Sequence, residues 1–376
     1  MIQDILKKTS RLHFGIIFLI IAICITGFVL LYGAAGGSVN PYVIKQVPRF
    51  IVGIILMWGI AIVDLKIWYR YAYVFYIVAI ALLIAVYFNG HVGMGARRWI
   101  DLKFFALQPS ELAKVCLVLA LAKFYHSRSI VAIHSLKNIA IPFALIGAMF
   151  ALVVVQPDLG TSLVLYFVGV AIMIASGLSK KLFVWMGIIG LSALPIMWLF
   201  LHGYQKKRLL VFLNPENDPL GAGYHIMQSK IAIGSSDFWG KGFMQGTQSH
   251  LEFLPEKHTD FIFTLLTEDF GMLGALLLLL AYALVILFGI LISLKAQSLY
   301  AKHIALGMTV LLFVHVTINI SMVMGLMPVV GIPLPFVSYG GTSMMTMLIS
   351  MGFLLNVHVH RDVNLTGGSG LSAGRF

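Results

Sequence analysis

Between positions 252 and 260 the chain places Glu252, Glu256, His258 and Asp260, with Pro255 and Lys257 among them. Such a set suits chemistry. Carboxylates favour hard cations, so a divalent metal such as Mg²⁺ is one occupant. A carboxylate beside lipid has a raised pKa and accepts a proton more readily near neutral pH, so a general base is another reading. Asp260 stands where the chain turns back into an apolar run, and an acid there could simply cap the next helix. The residue types leave all three open.

Four other constellations carry polar groups in apolar surroundings. Arg97-Arg98-Trp99 is followed by Gln108-Pro109-Ser110-Glu111 and Lys114. Pro109-Ser110-Glu111 reads as a helix start, and Glu111 and Lys114 share a face three residues apart. They either pair only with each other or join Arg98 in a cationic wall for a phosphate-bearing ligand. Asp158, in Gln156-Pro157-Asp158-Leu159-Gly160-Thr161, separates two apolar runs and either caps the second or serves function. The run Gln205-Lys206-Lys207-Arg208 is either a solvated charge run or a membrane-phosphate contact. Finally, Gly331–Ser343 holds Pro333, Pro335, Gly340 and Gly341, which prevent a regular helix. Irregular backbone at membrane depth needs protein or a cavity around it, so Ser338 and Tyr339 are candidates to line a site.

The elements that position these groups are apolar. Of 376 residues, 60% are hydrophobic and 11% charged, with a mean hydropathy of +0.96. Soluble domains carry about 25% charged residues. The composition therefore predicts an all-α integral membrane protein. Ten apolar segments follow, near 14–34, 50–65, 71–89, 110–126, 138–156, 160–178, 182–202, 263–293, 304–325 and 339–357. The first is longer than a signal-peptide core and reads as a retained span. Residues 1–364 form one polytopic domain. A long extracytoplasmic loop, about 203–262, lies between the seventh and eighth spans, and 365–376 reads as a flexible tail. Within that loop Tyr224, Met227, Ile231 and Ile233, with Lys230, fit an amphipathic helix on the bilayer surface.

Charge sets the orientation. The net charge of +12 comes from Lys and Arg in short loops, among them Lys66, Arg70, Arg128, Lys137, Lys180 and Lys295. This is the positive-inside pattern, with both termini cytoplasmic, and not a nucleic-acid surface. All but Asp4, Asp64 and Asp362 of the fourteen acids fall on the outer side or its boundary. Function therefore points outward. Cys24 and Cys116 lie inside apolar runs as small buried hydrophobes.

In combination these motifs resemble the SEDS family of shape, elongation, division and sporulation proteins. The resemblance rests on Arg98-Trp99 with Gln108-Pro109-Ser110-Glu111 and Gln156-Pro157-Asp158-Leu159-Gly160-Thr161. It also rests on Leu251-Glu252-Phe253-Leu254-Pro255-Glu256 with His258-Thr259-Asp260-Phe261, and Pro333-Leu334-Pro335-Phe336 with Ser338-Tyr339-Gly340-Gly341. The Leu-Glu-Phe run and short N-terminus resemble the RodA-type elongation branch more than the FtsW type. Ser236-Asp237 departs from the glycines more usual there.

The resemblance implies a peptidoglycan glycosyltransferase of the bacterial cytoplasmic membrane. It would polymerise lipid II into β-1,4 strands and release undecaprenyl pyrophosphate beside a class B penicillin-binding protein. The family aspartate falls on Asp260, the candidate base of an inverting transfer. Arg98, Lys114 and Arg208, or a divalent metal such as Mg²⁺, are candidates to meet the leaving pyrophosphate. Glu111, Asp158, Lys230, Glu256, His258, Ser338 and Tyr339 complete the expected substrate-binding set. No organic cofactor is implied, and membrane lipid surrounds the chain. A lipid II flippase or a scaffold for a transpeptidase are the alternatives. The outward acids disfavour the first, because transporters bind near the midplane. A scaffold leaves the acid cluster unexplained.

Overall fold

The computed structural model describes residues 2–93, 96–101, 106–128, 135–179, 203–214, 221–250 and 256–365, with residues 181, 184, 187, 192 and 218 between them. A short helix α1 (Ile2–Ser10) leads into α2 (Phe14–Ala34), α3 (Val43–Ile62) and α4 (Leu65–Asn89). A small antiparallel sheet follows, β1 (His91–Gly93), β2 (Ala96–Asp101) and β3 (Ala106–Leu107), in that order. Helices α5 (Pro109–His126), α6 (Leu136–Val155) and α7 (Leu159–Ala175) complete the first half. The long loop holds α8 (Gly203–Leu213), α9 (Ala222–Gly234) and the single turn α10 (Thr247–His250). The chain then returns through α11 (Ile262–Lys295), α12 (Leu299–Val323) and α13 (Gly341–Val359).

Seven of these helices (α2, α3, α4, α6, α11, α12 and α13) are long and apolar enough to cross a bilayer. Two of the other three expected spans are present as α5, which carries Glu111, Lys114 and Lys123, and the 17-residue α7. Both lie inside the bundle, where polar and short helices are tolerated. The expected 182–202 span lies largely outside the described residues. Ser176 Oγ nevertheless meets His303 Nε2 at 2.8 Å near the start of α12, whereas Ser229 Oγ bonds Thr264 Oγ1 at 2.8 Å near the start of α11. Those points are at opposite ends of the bundle.

Caps and small residues set the boundaries. Asp64, Asp158 and Ser298 each accept a backbone N–H of the helix that follows them, closing α4, α7 and α12 at their first turns. At the far end of α3, Asn356 of α13 donates to the carbonyls of Ile60, Ala61 and Val63 at 2.8, 3.2 and 2.6 Å. Along the same pair Gly53 faces Leu348 and Gly352 faces Met57, so the two backbones come close. One outcome differs from expectation. The α9 helix forms, but Ile226, Ser229 and Ala232 are its buried side, while Met227 and Ile231 are exposed.

Helix α11 is broken at Gly271, whose φ of 66° and ψ of −164° are open to glycine alone. The piece before the break, 262–270, is buried and includes Glu268 and Asp269 at 0% and 1% exposure. The long loop answers them. Lys241 Nζ lies 2.9 Å from Glu268 Oε1, Gln248 N donates to the same oxygen at 2.8 Å, and Met244 N donates to Asp269 Oδ2 at 3.3 Å. Gly240 and Gly271 interlock. A Cβ on Gly271 would stand 2.2 Å from Gly240 N.

Gly271→Ala is therefore expected to undock the loop, lowering the melting temperature in detergent and speeding proteolysis between 235 and 250. Gly147→Ala, whose Cβ would meet nothing within 4 Å, serves as control and is expected to be neutral or stabilising by up to about 1 kcal/mol. Equal melting temperatures for both would refute the interlock.

Candidate active site

Asp260 is half-buried at the mouth of the bundle, on the turn that precedes α11. The irregular segment 330–341 passes beside it. Its carboxylate Oδ2 lies 3.4 Å from where a Cβ on Gly331 would stand, and Gly331 has a φ of +73°. Glycine there gives both the left-handed turn and the close approach. Asn319 of α12 ties the two strands of chain together. Its Nδ2 donates to Asp260 O at 3.0 Å and to Ile332 O at 2.7 Å. Ser338 Oγ donates to Thr259 O at 2.6 Å and accepts from Leu334 N at 2.8 Å, and Tyr339 N donates to His258 O at 2.9 Å. The Ser338 hydroxyl, expected to face a ligand, is thus engaged in shaping the Asp260 turn.

A second cluster joins this one through Gly160. A Cβ there would meet Ile332 Cγ1 at 2.9 Å and Val330 O at 3.0 Å, so the first turn of α7 rests against the segment beside Asp260. Asp158, 4% exposed, caps α7 through Thr161 N and Thr161 Oγ1 at 3.3 and 2.9 Å. It also accepts from Gln108 Nε2 at 3.1 Å and faces Arg98 Nη1 at 3.9 Å. Arg98 further donates to the carbonyls of Gln156 and Pro157. The cap reading of Asp158 holds, and the same carboxylate faces a partly exposed guanidinium.

Below this layer lies a sealed triad. Lys114 Nζ donates to Glu111 Oε1 at 2.7 Å and contacts His315 Nε2 at 2.8 Å. His315 Nδ1 bonds Leu311 O at 2.8 Å, so that nitrogen carries the proton and Nε2 accepts from the ammonium. Lys114 and His315 are each 1% exposed and Glu111 is 4% exposed. His315 and Asn319 are four residues apart on one face of α12. The triad thus sits one turn beneath the residue that holds the Asp260 backbone. The expected cationic wall divides: Arg98 is reachable, while Lys114 is enclosed in this structure.

On the other side of Tyr339 is a cavity of about 290 Å³, lined by Arg49, Trp99, Tyr339, Gly341 and Thr342. The Arg49 guanidinium carbon stands 5.5 Å from the Tyr339 ring centre, beside the N-terminus of α13. A cation and a helix N-terminus facing one cavity make a site for an anion. Tyr339 packs edge-on to Tyr42 (5.2 Å), which stacks on His258 at 4.4 Å, so the cavity is one aromatic layer from the Asp260 turn. Burial holds the His258 pKa below its ordinary value against the pull of Glu256, so the ring is a neutral stacking surface. Glu256 Oε2 accepts from Thr259 Oγ1 at 2.7 Å. Lys230 is exposed and crosses Gly325 at the end of α12. The Arg208 side chain and Glu252 lie outside the described residues. No group of three His, Cys, Asp or Glu among the described residues is arranged around a metal ion.

Residues 11–363 match the family described as cell cycle proteins, that of FtsW, RodA and SpoVE. The chain belongs to this family. Among its relatives is the peptidoglycan glycosyltransferase MrdB of Escherichia coli K12, 41% identical over 362 residues, covering 95% of this chain and 97% of the relative. The rod shape determining protein RodA of Thermus thermophilus superposes with a TM-score of 0.72 at 28% identity, over 94% of this chain and 98% of that one. A chain from a structure described as a peptidoglycan synthase complex coordinating polymerisation and crosslinking superposes with a TM-score of 0.82. It is 31% identical and covers 93% and 98% of the two chains. The all-α membrane fold of the RodA branch is thus confirmed.

Sequence reasoning missed Arg49, His315 and Asn319. Arg49 adjoins an apolar run and stands in no motif. His315 and Asn319 carried a usable signal, two polar residues four apart in an apolar helix.

Removing one member of a buried ion pair strands the other, so Glu111→Met or Lys114→Met alone is expected to cost about 3–5 kcal/mol. The double substitution is expected to recover most of that stability. A double variant no more stable than the singles, by thermal melting, would contradict a mutual dependence of Glu111 and Lys114.

Proposed function

We propose that the chain polymerises lipid II, joining disaccharide units by β-1,4 bonds, with Asp260 as general base. The supporting observation is the half-buried Asp260 carboxylate at one mouth of the bundle, pressed against a glycine of the irregular segment. Guanidinium groups stand to either side of that turn. A base there takes the proton of the acceptor sugar hydroxyl as its oxygen bonds the donor anomeric carbon. The anomeric bond to pyrophosphate breaks on the opposite face, and its electron pair leaves with undecaprenyl pyrophosphate. Configuration inverts, as a single displacement requires.

The leaving group gains charge, and fixed cations favour that transition state. Arg98, and Arg49 with the N-terminus of α13, are placed for this role. Lys114 acts from below through His315 and Asn319, on position rather than on substrate. Mg²⁺ needs only one or two carboxylates plus substrate phosphates. Asp260 and a bound pyrophosphate would suffice to hold one, supplying further charge neutralisation. The mouth carrying Asp260 faces outward from the cytoplasmic membrane and both termini face the cytoplasm. A class B penicillin-binding protein crosslinks the product.

Purified protein given lipid II is expected to form glycan strands, and Asp260→Asn to lower the rate about 10²–10⁴-fold with unchanged melting temperature. Arg49→Ala is expected to lower the rate less, and a chelator to do so only where Mg²⁺ takes part. Polymer at the parent rate from Asp260→Asn would remove the base. Translocation of lipid II in liposomes without polymer would replace this reading by the transporter one.

A further inference from the structure

We propose that the end of the bundle opposite Asp260 binds a phospholipid headgroup bearing both a phosphate and an N–H donor, as phosphatidylethanolamine does. A cavity of about 170 Å³ opens there between α1 and the end of α13. Its polar lining is Asp4, Lys7, Lys8, Arg11, His360 and Asp362, and its apolar margin is Val359 and Val363.

His360 decides the chemistry. It is 7% exposed, and its Nδ1 lies 3.0 Å from Asn356 O. A carbonyl only accepts, so Nδ1 carries the hydrogen. Burial pushes the imidazole pKa down, which keeps the ring neutral. Nε2 is then a bare acceptor, buried and without a hydrogen-bond partner among the described residues. A buried acceptor left unanswered is costly, so an occupant with an N–H donor is favoured.

The charges around it divide in the same way. Lys8 is held by Asp4 at 3.4 Å and by Ile62 O at 3.2 Å. Lys7 and Arg11 stand one helical turn apart, exposed, with no ion pair among the described residues. They suit a phosphate. His360 Nε2 suits an ammonium, and Asp4, paired with Lys8, and Asp362, 3.7 Å from Arg361 Nε, keep negative charge beside it. A phosphate alone would leave the acceptor unanswered, and an amine alone would leave Lys7 and Arg11. A zwitterionic headgroup answers both.

The cavity also lies at headgroup depth. Leu6 of α1 and Phe14 and Phe18 of α2 are 63%, 63% and 71% exposed, an apolar surface beginning beside the basic residues. Such a pairing of apolar and basic faces marks a helix lying in the membrane interface.

The test is native mass spectrometry of the full-length protein in detergent with dioleoyl lipids differing only at nitrogen. Phosphatidylethanolamine and its N,N-dimethyl analogue each keep an N–H, and phosphatidylcholine has none. The parent is expected to retain the first two about tenfold over the third, the scale of one hydrogen bond to a charged group. His360→Phe is expected to bring all three to parity. The surface double variant Lys7→Ala, Arg11→Ala is expected to lower retention of all three while keeping their order. Equal retention of phosphatidylethanolamine and phosphatidylcholine by the parent would overturn the proposal. So would a preference that survives His360→Phe, or tighter retention of phosphatidylglycerol than of phosphatidylethanolamine.

Discussion

Backbone that leaves a regular helix inside a membrane bundle must find its hydrogen bonds from side chains, because lipid offers none. Segment 330–341 is such a stretch, and much of the protein is arranged around it. Asn319 reaches it from α12 at Ile332 O, Tyr282 from α11 at Pro335 O, and Gln46 from α3 at Ser338 O. Gly27 of α2 lets that helix lie directly on it, since a Cβ there would meet Val337 Cα at 2.8 Å. Four helices therefore hold one irregular strand of chain. By holding it they also fix Asp260, which shares Asn319 and Ser338 with it.

This dependence explains what could be read in the sequence. Apolar runs of about 20 residues mark spanning helices whatever their neighbours, so helices appear at each of the nine expected places that lie among the described residues. The break at Gln156-Pro157-Asp158 was readable because proline and an acid interrupt a helix locally. Pro333, Pro335, Gly340 and Gly341 announced irregular backbone for the same reason. What the irregular backbone touches is a tertiary matter. Ser338 read as a donor to a ligand and proves to be a donor to Thr259 O. Lys114 read as part of an open wall and proves to be enclosed, because its partner His315 comes from 201 residues away. Glu268 and Asp269, buried in a run that reads as plain membrane helix, are explained only by the loop docked on them.

Two sets of contacts lead toward the Asp260 turn. Glu111, Lys114 and His315 are hydrogen-bonded one helical turn beneath Asn319, which bonds Asp260 O, and Asp158 caps the helix whose Gly160 packs on Ile332. These contacts reach the backbone at and beside Asp260. Residues far apart in the chain thus converge on one turn.

The break at Gly271 has a bearing on membrane fit. An unbroken α11 of 34 residues would be about 51 Å long, against a hydrocarbon layer about 30 Å thick. The break leaves the portion after residue 271 close to the span a bilayer asks for. That portion can tilt as thickness varies from one lipid composition to another. The portion before it is held by the long loop at Glu268 and Asp269. The turn that carries Asp260 continues from this held portion, set apart by the break from the stretch of helix that must match the bilayer.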